Sequence, residues 1–244
     1  MTNHGQLIAS QLLEIMEKKR YGVEYQPIVS IKNNEIFAYE CLSRFFDKNN
    51  NQISPALVYA SLHHNPLSLF QVEYEQKKLQ LAHAPDSTDI FVNLDQDSYS
   101  ASGLIKSDNP FVQLFSSYNQ ANVVVELIEN SELSDAVMSV NMIDNLAANN
   151  INTAIDDLFC PESMLSTSVI QMVDFIKLDK FVIENQTNVN FMSLVCCMIC
   201  YAHDTGKRVI LEGVETQQDL AFAKKIGVDY IQGFLFRSQF KNIK

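Results

Sequence analysis

The chain has 244 residues, 47% of them hydrophobic and 19% charged, with 18 basic against 29 acidic side chains and a formal net charge of −11. That length suits a single α/β barrel with a large core, and the composition excludes a fibrous or disordered chain. The acidic balance excludes a DNA or RNA groove, which needs clustered Lys and Arg, but not a small phosphate substrate, because bound cations reverse a local potential.

Residues 1–20 are too polar for a secretory signal and read as an amphipathic helix that packs on one domain spanning 21–240. Two strands follow, 22–32 and 35–45, joined by a turn at Lys32 to Asn34 so tight that they must be antiparallel. Segments 55–62 and 66–83 read as helices. Strands at 89–94, 122–128, 151–156, 174–178, 208–212 and 229–235 then alternate with helices near 110–120, 132–149, 163–171, 188–205 and 216–226. Alternation at this spacing implies βαβ units and a mostly parallel sheet. No glycine-rich phosphate loop follows the first strand, which counts against an open dinucleotide-binding sheet. About eight strands point to closure into a TIM-like (β/α)8 barrel with one antiparallel strand. The longest apolar stretch, 191–202, is too short to span a bilayer. Five cysteines, an odd number, fit a reducing cytoplasm. Cys196, Cys197 and Cys200 read as buried structural thiols of one helix rather than a metal site.

The chemistry lies where the apolar runs stop. IFAYE ends in Glu40, IFVN in Asn93, VVVE in Glu126, AIDD in Asp156 and Asp157, FIK in Lys177, VILE in Glu212 and YIQ in Gln232. Runs of β-branched and aromatic residues are strands buried on both faces, and carboxylates are not tolerated there unless paired or bound to metal. For one residue, a strand-end polar group bonded to a loop is the simpler reading; seven in the same relative position argue for a site. In a barrel they gather at the face where barrel active sites lie. Oxygen donors from several strands are what Mg²⁺ or Mn²⁺ takes, and a two-ion site clamps an in-line displacement at phosphorus. His63, His64, His83 and His203 have no spacing relation to these carboxylates and read as surface or core residues.

These motifs resemble the EAL-domain family of cyclic di-GMP phosphodiesterases. YQPIV at 25–29, YECLSR at 39–44 (with Cys41 in place of alanine), FVNLD at 91–95, VELIENSEL at 125–133, AIDD at 154–157, FIKLD at 175–179, LEGVET at 211–216 and YIQGFLF at 230–236 follow the family's order. The resemblance implies hydrolysis of cyclic di-GMP to the linear dinucleotide pGpG with one or two Mg²⁺ or Mn²⁺ ions, in a cytoplasmic protein for which a homodimer is left open. It implies that Glu40, Asn93, Glu126 and Asp156 hold a first metal and Asp157 a second. Lys177 and Glu212 would hold and activate the attacking water, and Glu215 and Gln232 would be further polar members. Gln26, Arg44 and Gln232 would contact substrate, and Glu129 would anchor the loop after Asp157. That loop departs from the family pattern: both of its glycines are replaced, by Phe159 and Pro161, so any φ > 0 conformation they supplied becomes expensive. The rival reading is a receptor that binds cyclic di-GMP or a protein partner without cleavage.

Overall fold

The structure, a computed structural model, describes residues 7–63, 65–104, 106–128, 133–161 and 165–244. Its strands are β1 Tyr21–Ser30, β2 Ile36–Phe46, β3 Gln52–Ile53, β4 Asp89–Asn93, β5 Val123–Ile128, β6 Asn152–Leu158, β7 Phe175–Leu178, β8 Arg208–Leu211, β9 Tyr230–Ile231 and β10 Lys241–Ile243. Helices α1 Ala9–Glu17, α2 Pro55–Leu62, α3 Pro66–Ala82, α4 Gln96–Ala101, α5 Pro110–Ser117, α6 Leu133–Ala147, α7 Thr167–Met172, α8 Phe181–Glu184, α9 Val189–Asp204 and α10 Gln217–Ile226 connect them. β2, β4, β5, β6, β7, β8 and β9 run parallel in that order, and β1 closes the ring by pairing antiparallel with both β2 and β9. The result is the eight-stranded barrel with one antiparallel strand that the alternation implies. β3 and β10 are short additions on β2 and β1.

Two apolar shells position the site. Ile28, Ala38, Phe91, Val124, Ala154, Phe175 and Ile210 meet inside the barrel, with Phe37 stacked on Tyr230 across its lower end. A larger shell between strands and helices contains Val92, Val125, Ile155, Ile176 and Val209, the neighbours that point outward because side chains alternate along a strand. α1 seats Ile15 in a separate cluster with Phe45, Val58, Leu62 and Leu69.

Two expectations need correction. The last strand does not run over 229–235: β9 stops at Ile231, and Phe234–Gln239 forms a 3-10 segment. The bend is enforced at Gly233, where a Cβ would lie 2.3 Å from the carbonyl oxygen of Val214. Cys196, Cys197 and Cys200 are exposed, not buried. α9 packs through Val195, Ile199 and Ala202, at spacings of four and three, which turns the thiols away from the barrel. Among the described residues no helix is long and apolar enough to cross a membrane.

Candidate active site

The inner apolar shell sets the site by strand alternation. Two residues beyond Ala38, Phe91, Val124, Ala154, Phe175, Ile210 and Tyr230 come Glu40, Asn93, Glu126, Asp156, Lys177, Glu212 and Gln232. All therefore point into the barrel one layer above the apolar plug. β1 runs the other way, so its contribution, Gln26, precedes Ile28 by two. Glu40 is not at a strand end, since β2 continues to Phe46. It reaches the mouth because its parallel neighbour β4 ends at Asn93.

Lys177 is the hub. Its fully buried Nζ lies 2.7 Å from Glu126 Oε1, 2.7 Å from Glu212 Oε1, 2.9 Å from Asp156 Oδ1 and 3.5 Å from Glu40 Oε2. Asn93 Nδ2 donates to Glu40 Oε1 at 3.0 Å and to Glu126 Oε2 at 2.9 Å. Gln232 Nε2 donates to the other Glu40 oxygen. Four carboxylates thus face one ammonium, a buried negative surplus that the fold tolerates only by protonation or by a bound cation. Protonation equilibria follow that surplus. Burial, reinforced by Glu40, pushes the Glu126 carboxyl well above the usual range. Burial raises Glu212 to about 8 against the pull of Lys177. Burial also opposes the Glu40 anion, but Lys177 with Gln232 and Asn93 outweighs it and lowers that carboxyl. Lys177, despite burial, is held well above its ordinary value by Asp156, Glu126, Glu212 and Glu40.

The donor set fits hard divalent cations. Oxygens of Glu40, Glu126 and Asp156 lie within 4.8 Å of one another, and so do oxygens of Asp156, Asp157 and Glu212. Asp156 bridges the two groups. Asp157 reaches the second group through an irregularity: pairing of β6 with β7 slips between Ile155 and Leu158, and Asp157 adopts φ 54°. Burial and the adjacent Asp156 raise its carboxyl to about 6. The next left-handed residue is Phe159 at φ 72°, so the conformation a glycine would supply persists without one.

A cavity lies on either side of the carboxylates, and Glu40 and Asp156 line both. One, of 440 Å³, is walled by β2, α2 and α3, with Arg44, Tyr59 and Glu73 among its lining residues. The other, of 410 Å³, is bounded by Gln26, Asp157, Lys180, Glu215, Gln232 and Phe234. Arg44 is held by an ion pair with Glu24, which also accepts from Gln26. Glu215 is exposed and lines the second cavity. Glu129 lies outside the described residues, as do His64 and Glu162 to Met164. His63 lines the first cavity, while His203 pairs with Asp229 on the surface. Tyr59 and Glu73 are residues that strand-end reading misses because they come from helices. The buried face of α3 is itself largely polar, with Glu73, Gln76, Lys77 and Gln80 inside, so no apolar periodicity could have signalled Glu73.

Residues 9–239 match the EAL domain family. The bifunctional diguanylate cyclase/cyclic di-GMP phosphodiesterase MucR of Pseudomonas aeruginosa is 23% identical over 231 residues, which is 92% of this chain and 34% of that protein. An uncharacterised protein of Azorhizobium caulinodans is 29% identical over 226 residues, covering 88% of this chain and 31% of its own. The chain spans about a third of the length of these curated relatives. The crystal structure of the FimX EAL domain from Pseudomonas aeruginosa bound to c-di-GMP superposes with a TM-score of 0.75 at 22% identity, over 92% of this chain and 93% of that one. The Bacillus subtilis YkuI protein, crystallised with c-di-GMP and calcium, gives 0.76 at 19% identity, over 92% and 57%. At these identities the two structures speak for the fold.

Proposed function

The chain belongs to the EAL domain family, and from that premise we propose that it is a divalent-metal-dependent phosphodiesterase that hydrolyses cyclic di-GMP to linear pGpG. The observation that carries this reading is the carboxylate cluster set between two cavities of similar size, 440 and 410 Å³, with Glu40 and Asp156 common to both. A cyclic dinucleotide has that form: two bases on either side of a ring closed by two phosphodiesters, one of which would lie at the carboxylates. Cavities of this size suit one base and its sugar each.

Glu40, Asn93, Glu126 and Asp156 would hold one Mg²⁺ or Mn²⁺, and Asp157 with Asp156 and Glu212 a second. When bound, such ions supply Lewis-acid charge at phosphoryl oxygens and lower the pKa of water. The chain's own groups do the rest. Lys177 orients the attacking water and keeps Glu212 within 2.7 Å. Glu212, beside Lys177 and within the second group of oxygens, would as a carboxylate take the proton that the water gives up. Attack at phosphorus forms one P–O bond, and the bond to the departing 3′ oxygen breaks as that oxygen takes up a proton. Gln26 and Gln232, 3.5 Å apart, border the second cavity and would contact the substrate there, and Arg44 borders the first.

Purified protein incubated with cyclic di-GMP and Mn²⁺ or Mg²⁺ gives pGpG on this account, and excess chelator stops its formation. Saturable binding of cyclic di-GMP with no product would instead support the receptor reading, which the loss of both glycines after Asp157 favours.

A further inference from the structure

Asp157 and Phe159 both occupy left-handed backbone, at φ 54° and 72°, with Leu158 between them. Neither is glycine, and for a bulky aromatic residue such a conformation survives only where surrounding packing fixes it. The packing is visible. Phe159 is 93% buried, its ring meeting Phe191 of α9 edge-on at a centroid distance of 5.7 Å. Phe191 in turn meets Phe181 of α8 edge-on at 5.6 Å. The backbone between is pinned at both ends: the Cys160 amide donates to the Asp157 carbonyl, and the Asp179 amide to that of Leu158, each at 3.0 Å.

The slip in β6–β7 pairing is what brings Asp157 to the cluster. Regular alternation would send it to the opposite face from Asp156, yet its carboxylate lies with those of Asp156 and Glu212. The direction of Asp157 therefore depends on the left-handed turn, and the turn depends on the aromatic seat.

We propose that Phe159 is a positioning residue, its ring wedged against Phe191 so that the turn holds the Asp157 carboxylate against Asp156 and Glu212. The lost glycine is thereby replaced by a different device: a side-chain anchor instead of backbone freedom. The purpose of that anchor rests on the metal reading given above, since an aimed carboxylate matters only if it has an ion to meet.

Two substitutions separate backbone freedom from anchoring. Phe159→Gly makes the left-handed turn easy but removes the ring. Phe191→Ala leaves the loop sequence intact and removes the seat from a helix that supplies no proposed ligand. Phe159→Tyr keeps the ring. Mn²⁺ titration of the free protein, followed by electron paramagnetic resonance, is read beside hydrogen exchange of the Cys160 amide and the melting temperature. Phe159→Gly and Phe191→Ala are expected to weaken the weaker class of Mn²⁺ sites at least tenfold, to leave the tighter class within threefold, and to speed Cys160 exchange at least tenfold. Phe159→Tyr is expected to match the parent. A folded Phe159→Gly whose Mn²⁺ affinity and exchange equal or better the parent's would overturn the proposal. If the parent binds no Mn²⁺, the metal reading fails by itself. Exchange then still decides the anchor: accelerated in both variants it stands, unchanged in both it falls.

Discussion

Removing divalent cations should make this protein lose stability as pH rises through neutrality, the reverse of what salt-bridged surface carboxylates produce. The cause is the hub, where Lys177 is the one ammonium against Glu40, Glu126, Asp156 and Glu212. An exposed glutamate in the unfolded chain titrates near 4.3, whereas the Glu212 carboxyl in the fold titrates at about 8. Between those values the folded state holds a proton that the unfolded chain has released, so the unfolded state binds fewer protons. Stability then falls by about 1.4 kcal/mol per pH unit for each such group. The contribution is fully present below the unfolded pKa and is lost as pH climbs through about 8. From pH 6.0 to 7.5 Glu212 alone removes about 2 kcal/mol, on the order of 4–8 °C in Tm for a chain of this size. Glu126, raised well above its ordinary value, adds in the same direction. Thermal melts by circular dichroism in excess chelator measure this, and the same melts in saturating Mn²⁺ should recover the loss. Glu212→Gln should melt with a shallower pH dependence than the parent. Chelated parent that melts no lower at pH 7.5 than at pH 6.0 would refute the charge-surplus argument.

Other outcomes follow from single side chains. Lys177→Met removes the hub cation and leaves the carboxylates unpaired. It should destabilise the chelated protein by about 3–5 kcal/mol in urea unfolding at pH 7 and abolish hydrolysis. Glu40→Ala should reduce turnover by orders of magnitude while the far-ultraviolet spectrum is preserved; near-normal turnover would mean Glu40 is no ligand. Arg44→Ala, altering a wall of the first cavity and not the cluster, should raise KM about tenfold (roughly 1.4 kcal/mol of substrate binding) with kcat within a factor of three. A fall in kcat alone would remove Arg44 from substrate binding.

Much of the barrel is legible in the sequence because both shells of a parallel strand are apolar. The runs around Phe91, Val124 and Ile210 announce themselves, and the first polar side chain in the inward register marks the barrel mouth. Tight joining of β1 and β2 likewise fixes their antiparallel pairing. What escapes is what the two-residue period does not govern. Asp157 faces the cluster because of a slip in pairing and a left-handed turn, neither of which has a residue signature once glycine is gone. α3 hides its role for another reason: its buried face is polar. Gln80 and Gln76 donate to the carbonyls of Cys41 and Arg44 on β2, and Glu73 accepts from the Asp95 amide. A reading based on hydrophobic periodicity assigns such residues to solvent. The exposed thiols of α9 err in the opposite sense, since an apolar helix offers more candidates for burial than one face can accept.

The most direct test of the account is a single-turnover experiment with protein in excess over cyclic di-GMP, in Mn²⁺ and ¹⁸O-labelled water, with mass analysis of the dinucleotide. Hydrolysis at the carboxylate cluster predicts complete conversion to pGpG carrying one ¹⁸O on its terminal phosphate, and no conversion by Lys177→Met. Fully bound but intact cyclic di-GMP after prolonged incubation would contradict the enzyme and leave a receptor in its place.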